Sequence, residues 1–301
     1  MSSLQKPSTV SRSSEDIEPA GSSPNDAPRR KPPFERVENA TSWRRMALAT
    51  WSAPDNPTVY GTIEVDMTES LALIERLRES EGLHVTVTHL VAKALALGLH
   101  DHPDGNGLII GKRLYKRAEV DIFCQVASED GRDLSGVKLC SVDRMPLRQI
   151  ASSLNSRVAQ VRARKDREVE KSKATLAGIP DWLLGTAMRA VGYLTYDLGL
   201  DLSRFGVAYD QFGSAMVTSI GSVDAGLGLA LAPIVPFSHV PIVVLVNNIQ
   251  RRPAVVGDQI LIRPVMTLGC TFDHRFIDGI TGARIASSLR RALAHPLERL
   301  V

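Results

Sequence analysis

Between Thr58 and Asp66 the chain alternates: Val59, Gly61, Ile63 and Val65 fall on one side of "TVYGTIEVD", and Tyr60, Thr62 and Glu64 on the other. A period of two predicts a strand with one face buried. The period then lengthens. In "ESLALIERLRES" Leu71, Ile74 and Leu77 recur at helical spacing, with Thr68 ahead of them as an N-cap. "VTVTHLVAKALALGLHDHP" is apolar around most of its circumference, which predicts a buried helix that Pro103 must end. "RAEVDIFCQVASEDG" and "DLSGVKLCSV" return to strand character, parted by the turn residues Glu129, Asp130 and Gly131. "MPLRQIASSLNSRVAQVRARKDREVEKSK" predicts a long amphipathic helix whose charged end is a solvated face.

Residues 176–200, "LAGIPDWLLGTAMRAVGYLTYDLGL", are apolar on nearly every side but interrupted by Pro180, Asp181, Arg189 and Asp197. That makes a poor membrane span and predicts a helix buried within the domain or in a subunit contact. The competing reading is an interfacial helix that docks on a membrane or a partner. Downstream, "FGSAMVTSIGSV" and "VPIVVLVNNIQRRPAVVGDQILIRPVMTLGCTF" predict strands, the second group folded at a hairpin on Gly257-Asp258. "ITGARIASSLRRALAHP" predicts a closing helix ended by Pro296. Strands and helices alternate irregularly, with antiparallel hairpins late, which favours an α+β sandwich over a doubly wound parallel sheet.

Composition narrows the field without naming a function. A chain of 301 residues, 44% hydrophobic and 23% charged, is that of a soluble globular protein with one large core or two modest ones. Its net charge of +3 comes from intermixed signs, so it carries no electrostatic footprint for nucleic acid. Cys124, Cys140 and Cys270 are far apart, form no CxxC pair and have apolar neighbours, which predicts reduced core residues in a cytoplasmic protein and no disulfide or metal framework. Residues 1–33 are rich in Ser and Pro, mix both charge signs and predict a disordered tail, with order from Phe34 to residue 301. No GxGxxG or P-loop is present, so nothing in the sequence calls for a nucleotide cofactor.

The chemistry concentrates in "MTLGCTFDHRFIDG", where a strand gives way to the last helix. His274 stands at that corner, and an imidazole with an ordinary pKa of about 6.5 can accept a proton at physiological pH. Asp278 lies four residues on, a spacing that does not by itself bring a carboxylate to the histidine. It suits a helix N-cap that braces the turn by binding backbone amides or a distant arginine, with Gly279 easing the turn beside it.

This segment resembles the signature of the acyltransferase (E2) catalytic domains of 2-oxo acid dehydrogenase complexes, whose fold is shared with chloramphenicol acetyltransferase. The likeness extends in order along the chain. "TVYGTIEVDMTESLALIERLRE" resembles the family's early strand and helix, and "VTVTHLVAKALALGLHDHPDGN" its next helix. "VDIFCQVASEDGRDLSGVKL" is similar to the central strand pair, and "MVTSIGS" and "RRPAVVGDQILIRPVMTL" to the strand and hairpin before the signature. The resemblance implies a two-layer α+β sandwich with a mixed, largely antiparallel sheet. It further implies a homotrimer that can build a larger cage, with active sites between subunits reached by coenzyme A from one end and an acyl-lipoyl group from the other. His274 is then the base that takes the thiol proton. Thr218, with Ser219 as the competing residue, supplies the hydroxyl for the oxyanion. Asp278 pairs with an arginine of the first ordered segment, Arg44 being the best match and Arg45 the alternative.

Three features depart from the family. A tail of about 33 residues is shorter than domains of about 50, so the resemblance places any lipoyl group on another chain, in trans. Thr58 in "NPTVY" stands where the family's "PHF" has its histidine. A segment near 172–210 is longer than the family's usual connection, like the insertion of stand-alone, lipoyl-less relatives. A non-catalytic trimeric scaffold that recruits partners through tail and insertion is the alternative reading. Membrane association rests on the apolar insertion alone and is not expected.

Overall fold

The computed structural model describes residues 34–42, 44–46, 56–127, 134–162, 178–203, 207, 210–221 and 229–300. The expected tail, the Glu129–Gly131 turn and the charged end of the long helix lie outside the described residues. Nine strands are described: β1 (Phe34–Arg36), β2 (Thr58–Asp66), β3 (Gly107–Ile110), β4 (Arg113–Arg117), β5 (Ile122–Ala127), β6 (Leu134–Leu139), β7 (Ala215–Ser219), β8 (Ile242–Val256) and β9 (Gln259–Asp273). Six of them form one sheet in the order β2-β9-β8-β7-β5-β6, and β1-β4-β3 form a small antiparallel sheet. In the large sheet β7 runs parallel to both β5 and β8, and the other pairings are antiparallel.

The helices of the core are α1 (Thr68–Glu81), α2 (Val87–Asp101), α3 (Leu147–Arg162) and, after β9, the closing helix (Gly279–Ala294), which is α5 once the insertion helix α4 (Asp181–Gly192) is counted. Val65 of β2, Val217 of β7, Val244 and Val246 of β8 and Leu268 and Cys270 of β9 share one buried cluster with Leu90, Leu95 and Leu99 of α2 and Ile285 and Leu289 of α5. One sheet face is therefore sealed by helices. The other carries a smaller cluster of Phe123, Met216, Val240 and Val243. The result is a two-layer, mixed α+β arrangement. Helix α2 is buried on almost every side, and its one lysine is accommodated because Lys93 Nζ donates to the carbonyls of Val142, Asp143 and Met145 at 3.2, 2.8 and 2.8 Å.

Several local expectations change. Thr68 is inside α1 rather than capping it: its backbone N–H donates to Asp66 Oδ1 at 2.9 Å, so the aspartate two residues earlier secures the first turn. Cys124 and Cys270 are buried, but Cys140 is exposed, because it directly follows buried Leu139 at the end of edge strand β6 and alternation turns it outward. The β3–β4 hairpin went unpredicted; its turn puts both Gly111 (φ 51°) and Lys112 (φ 63°) in the left-handed region that tight hairpins use. Insertion helix α4 is not buried by its own chain. Trp182 is 81% exposed, and the insertion meets the rest of the chain mainly beyond the helix, where Tyr196 stacks on His239 with ring centroids 4.1 Å apart. No described helix is long and apolar enough to cross a membrane.

Candidate active site

His274 directly follows β9, in the turn that leads to α5, and everything around it is pinned. Asp273 closes the strand against Thr58 of β2, and its backbone N–H donates to Pro241 O at 2.9 Å. The N–H of His274 donates to Pro57 O at 2.8 Å. Arg275 returns a forked pair to the Asp273 carboxylate, Nε to Oδ1 at 3.1 Å and an Nη to Oδ2 at 2.8 Å. Phe276 and Ile277 are buried in the core cluster and bond through their N–H groups to Asp273 O. The half-buried imidazole is thus carried by a backbone with little freedom to move.

Asp278 caps α5. Its Oδ1 accepts from Thr281 N at 2.8 Å, and its other oxygen lies 4.0 Å from a terminal nitrogen of Arg44. Arg44 also sits over the Phe276 ring, 5.5 Å from its centroid, whereas Arg45 points to solvent. Burial pushes the Asp278 carboxyl up, but the Thr281 hydrogen bonds and the Arg44 and His274 charges outweigh it and hold the group below the usual carboxylate range. Asp278 bonds to the helix and pairs with the arginine. Gly279, the first residue of α5, has no left-handed backbone; a Cβ there would meet nothing within 4 Å.

A folded pKa below the unfolded one means stability that is present above the unfolded value near 3.9 and is lost as pH falls through the folded value. Asp278→Ala is expected to lower the unfolding free energy at pH 7 by about 1 kcal/mol through loss of the cap. Asp278→Asn retains a cap but not the charge. In urea titrations across acid pH, wild type and Asp278→Asn should converge as pH drops through the depressed pKa. A constant gap between them would show that the charge contributes nothing.

Two cavities flank this corner. The first, about 200 Å³, is bounded by β2, the end of β9 and α5, with His274, Gly61, Ile63, Cys270, Phe272 and Ala286 among its walls. The second, about 670 Å³, is more polar, and Asp273 and Arg275 line it together with Lys112 and His239. His239, on the wall of this second cavity, is a residue that reading along the chain did not single out. It occupies a left-handed backbone position (φ 54°), its Nδ1 lies 3.1 Å from Ile109 O, and burial lowers its pKa so that the ring is held neutral. Burial also pushes the Cys270 thiol up to about 12, so this cavity residue stays protonated and is no nucleophile. Among the described residues no cluster of His, Cys, Asp or Glu is placed to hold a metal ion.

The structure does not bring the expected hydroxyls to His274 within one chain. Thr218 pairs with Leu245, Leu245 with Gly269, and His274 lies five residues beyond Gly269. With about 4.8 Å between strands and about 3.4 Å per residue, the separation is on the order of 20 Å. Alternation also parts the two candidates: Val217 belongs to the helix-side cluster and Met216 to the opposite one, so Ser219 faces the helices and Thr218 the other side. Ser219 Oγ accepts from Gly221 N at 3.3 Å and lines a separate cavity with Thr86, Thr88 and Asn247.

The family described as 2-oxoacid dehydrogenases acyltransferase (catalytic domain) matches residues 32–177 and 210–301. The gap in that match contains α4. A lipoamide acyltransferase component of a branched-chain alpha-keto acid dehydrogenase complex from Pseudomonas aeruginosa is 35% identical over 96 residues, 32% of this chain and 22% of that one. A dihydrolipoyllysine-residue acetyltransferase component of the pyruvate dehydrogenase complex from Zymomonas mobilis is 25% identical over 251 residues, 82% of this chain and 47% of the relative. The chain therefore spans about half the length, or less, of these relatives. In three dimensions it is similar to the dihydrolipoamide acetyltransferase of Azotobacter vinelandii, with TM-score 0.61, 23% identity and coverage of 82% of this chain and 85% of that one.

Proposed function

Because this chain belongs to the 2-oxoacid dehydrogenase acyltransferase family, matched through its catalytic domain, we propose that it transfers an acyl group between coenzyme A and a dihydrolipoyl thiol, with His274 as the base. The observation that carries this reading is the placement of His274, on a strand-to-helix corner fixed by the Pro57 and Asp273 hydrogen bonds and facing a cavity.

At neutral pH only a few per cent of an alkyl thiol with a pKa of about 8.5 is thiolate, so a positioned base matters. His274 takes the thiol proton of coenzyme A as the sulfur attacks the acyl carbonyl carbon of the lipoyl thioester. A carbon–sulfur bond to coenzyme A forms, and the carbonyl electrons move onto oxygen. When that oxyanion collapses, the bond to the lipoyl sulfur breaks, and the imidazolium returns its proton to the departing thiolate. The reverse direction uses the same steps. Thr218 donates its hydroxyl to the oxyanion. Asp278 and Arg44 hold the turn and touch no reacting atom.

The span between Thr218 and His274 supports a site completed by a second copy, and membership of the family supports a homotrimer, which in such complexes can extend to a cage. The acyl-lipoyl group is the other substrate, and the cytoplasm is where the transfer runs. Incubation of the purified chain with acetyl-CoA and dihydrolipoamide, followed by chromatography for S-acetyl-dihydrolipoamide, should show product well above uncatalysed exchange. Absence of product with every acyl-CoA tried would overturn the proposal.

A further inference from the structure

The smaller cavity beside His274 exists because the side chains that should fill it are missing. Gly61 of β2 is opposite Cys270 of β9 in the register, on the face turned toward α5. A Cβ at Gly61 would meet nothing within 4 Å. The helix across from it presents Gly279, Gly282, Ala283 and Ala286, small residues at helical spacing on one side. Two facing elements have therefore both been kept short, and the gap of about 200 Å³ opens onto the imidazole. Interiors normally close such gaps, since an unfilled cavity forfeits packing energy.

The chemistry of the walls selects an occupant. Val59, Ile63, Phe272 and Ile277 make the cavity apolar, and the ionisable groups facing it are His274, the protonated Cys270 thiol and Asp278. Among the described residues no lysine or arginine lines it; Arg44 lies outside, paired with Asp278 and stacked on Phe276. An acyl group ending in a carboxylate would find no lysine or arginine among the described wall residues, and the Arg44 guanidinium is already engaged by Asp278, so its charge would be poorly paired. An uncharged apolar chain meets only favourable contacts. As for size, an engineered cavity of about 150 Å³ holds benzene, so this one takes a chain of about four to six carbons.

Resting on the proposed transfer reaction, we propose that this cavity receives the acyl chain, and that the chain's substrates are short apolar acyl thioesters, straight or branched, rather than dicarboxylic ones. Gly61 is then a specificity-determining residue.

The test combines binding and turnover on the full-length protein. Without an acceptor thiol the acyl-CoA is only bound, so calorimetry can compare coenzyme A with acetyl-, butyryl-, isovaleryl- and succinyl-CoA. Each buried methylene is expected to tighten binding about fourfold, with succinyl-CoA no tighter than coenzyme A itself. In transfer to dihydrolipoamide, kcat/KM for butyryl-CoA should exceed that for succinyl-CoA by about 10² or more. Gly61→Val should lower the isovaleryl-to-acetyl ratio of kcat/KM at least about tenfold, roughly the discrimination expected of one or two methylenes in an apolar pocket; Ala286→Leu, from the helix side, should do the same. Transfer without chain-length preference, or equal use of succinyl-CoA, overturns the cavity assignment and leaves the reaction standing. Graded binding that Gly61→Val abolishes, with no transfer at all, does the opposite.

Discussion

His274→Ala should slow acyl transfer from acetyl-CoA to dihydrolipoamide by about 10² to 10⁴, the usual contribution of a positioned general base. The effect should appear in kcat, because the imidazole acts as the thiol proton leaves, and acyl-CoA binding should change little. A purely structural account predicts otherwise. The histidine is tied to Pro57 through its backbone N–H, which the substitution leaves in place, and its neighbours Phe276 and Ile277 carry the packing of the turn. The variant should therefore unfold at nearly the wild-type urea concentration while its rate collapses. Turnover equal to wild type would remove His274 from the reaction and favour the scaffold reading, in which the trimer gathers partners and the signature is an inherited turn.

Much of this architecture was legible because its signals are periodic. The alternation of Val59, Gly61, Ile63 and Val65 against Tyr60, Thr62 and Glu64 marked β2, and the Gly257-Asp258 turn marked the β8–β9 hairpin, since tight hairpin turns demand such residues. The β3–β4 hairpin was missed for the opposite reason. Gly111-Lys112 is not a pair whose side chains advertise a turn, although both residues adopt the left-handed backbone. Helix α4 shows another limit: apolar residues on nearly every side signal cover, but cannot say whether that cover comes from the same chain, and here Trp182 receives little from it. At the site, the strand-to-helix corner was readable from "DHRFIDG", whereas His239 was not. Its position depends on a left-handed bend and on Tyr196 of the insertion stacking upon it, a contact between residues distant in sequence. The cavity was also hidden, since Gly61 reads along the strand as one small residue and becomes a gap only when α5 places its own small residues opposite.

Thr218→Ala should cost about 10² to 10³ in kcat if its hydroxyl stabilises the oxyanion, with Thr218→Ser restoring most of the loss. Ser219→Ala should cost far less, because that hydroxyl faces the helices and accepts from Gly221 N. If the larger loss falls on Ser219 instead, the assignment passes to it and the transfer reaction stands. The stronger test uses the separation of Thr218 and His274, on the order of 20 Å within a chain by strand spacing. Neither His274→Ala nor Thr218→Ala protein alone can assemble a complete site. When the two are co-expressed in equal amounts, a site drawing its imidazole from one subunit and its hydroxyl from the next regains both with a chance of about one in four, given cyclic symmetry. Hybrid preparations should therefore recover about a quarter of wild-type activity, starting from two nearly inactive parents. Recovery no greater than the average of the parents would mean that the two side chains do not combine across an interface. The oxyanion would then need a donor near His274 in the same chain, where Thr62 is the hydroxyl already lining the cavity.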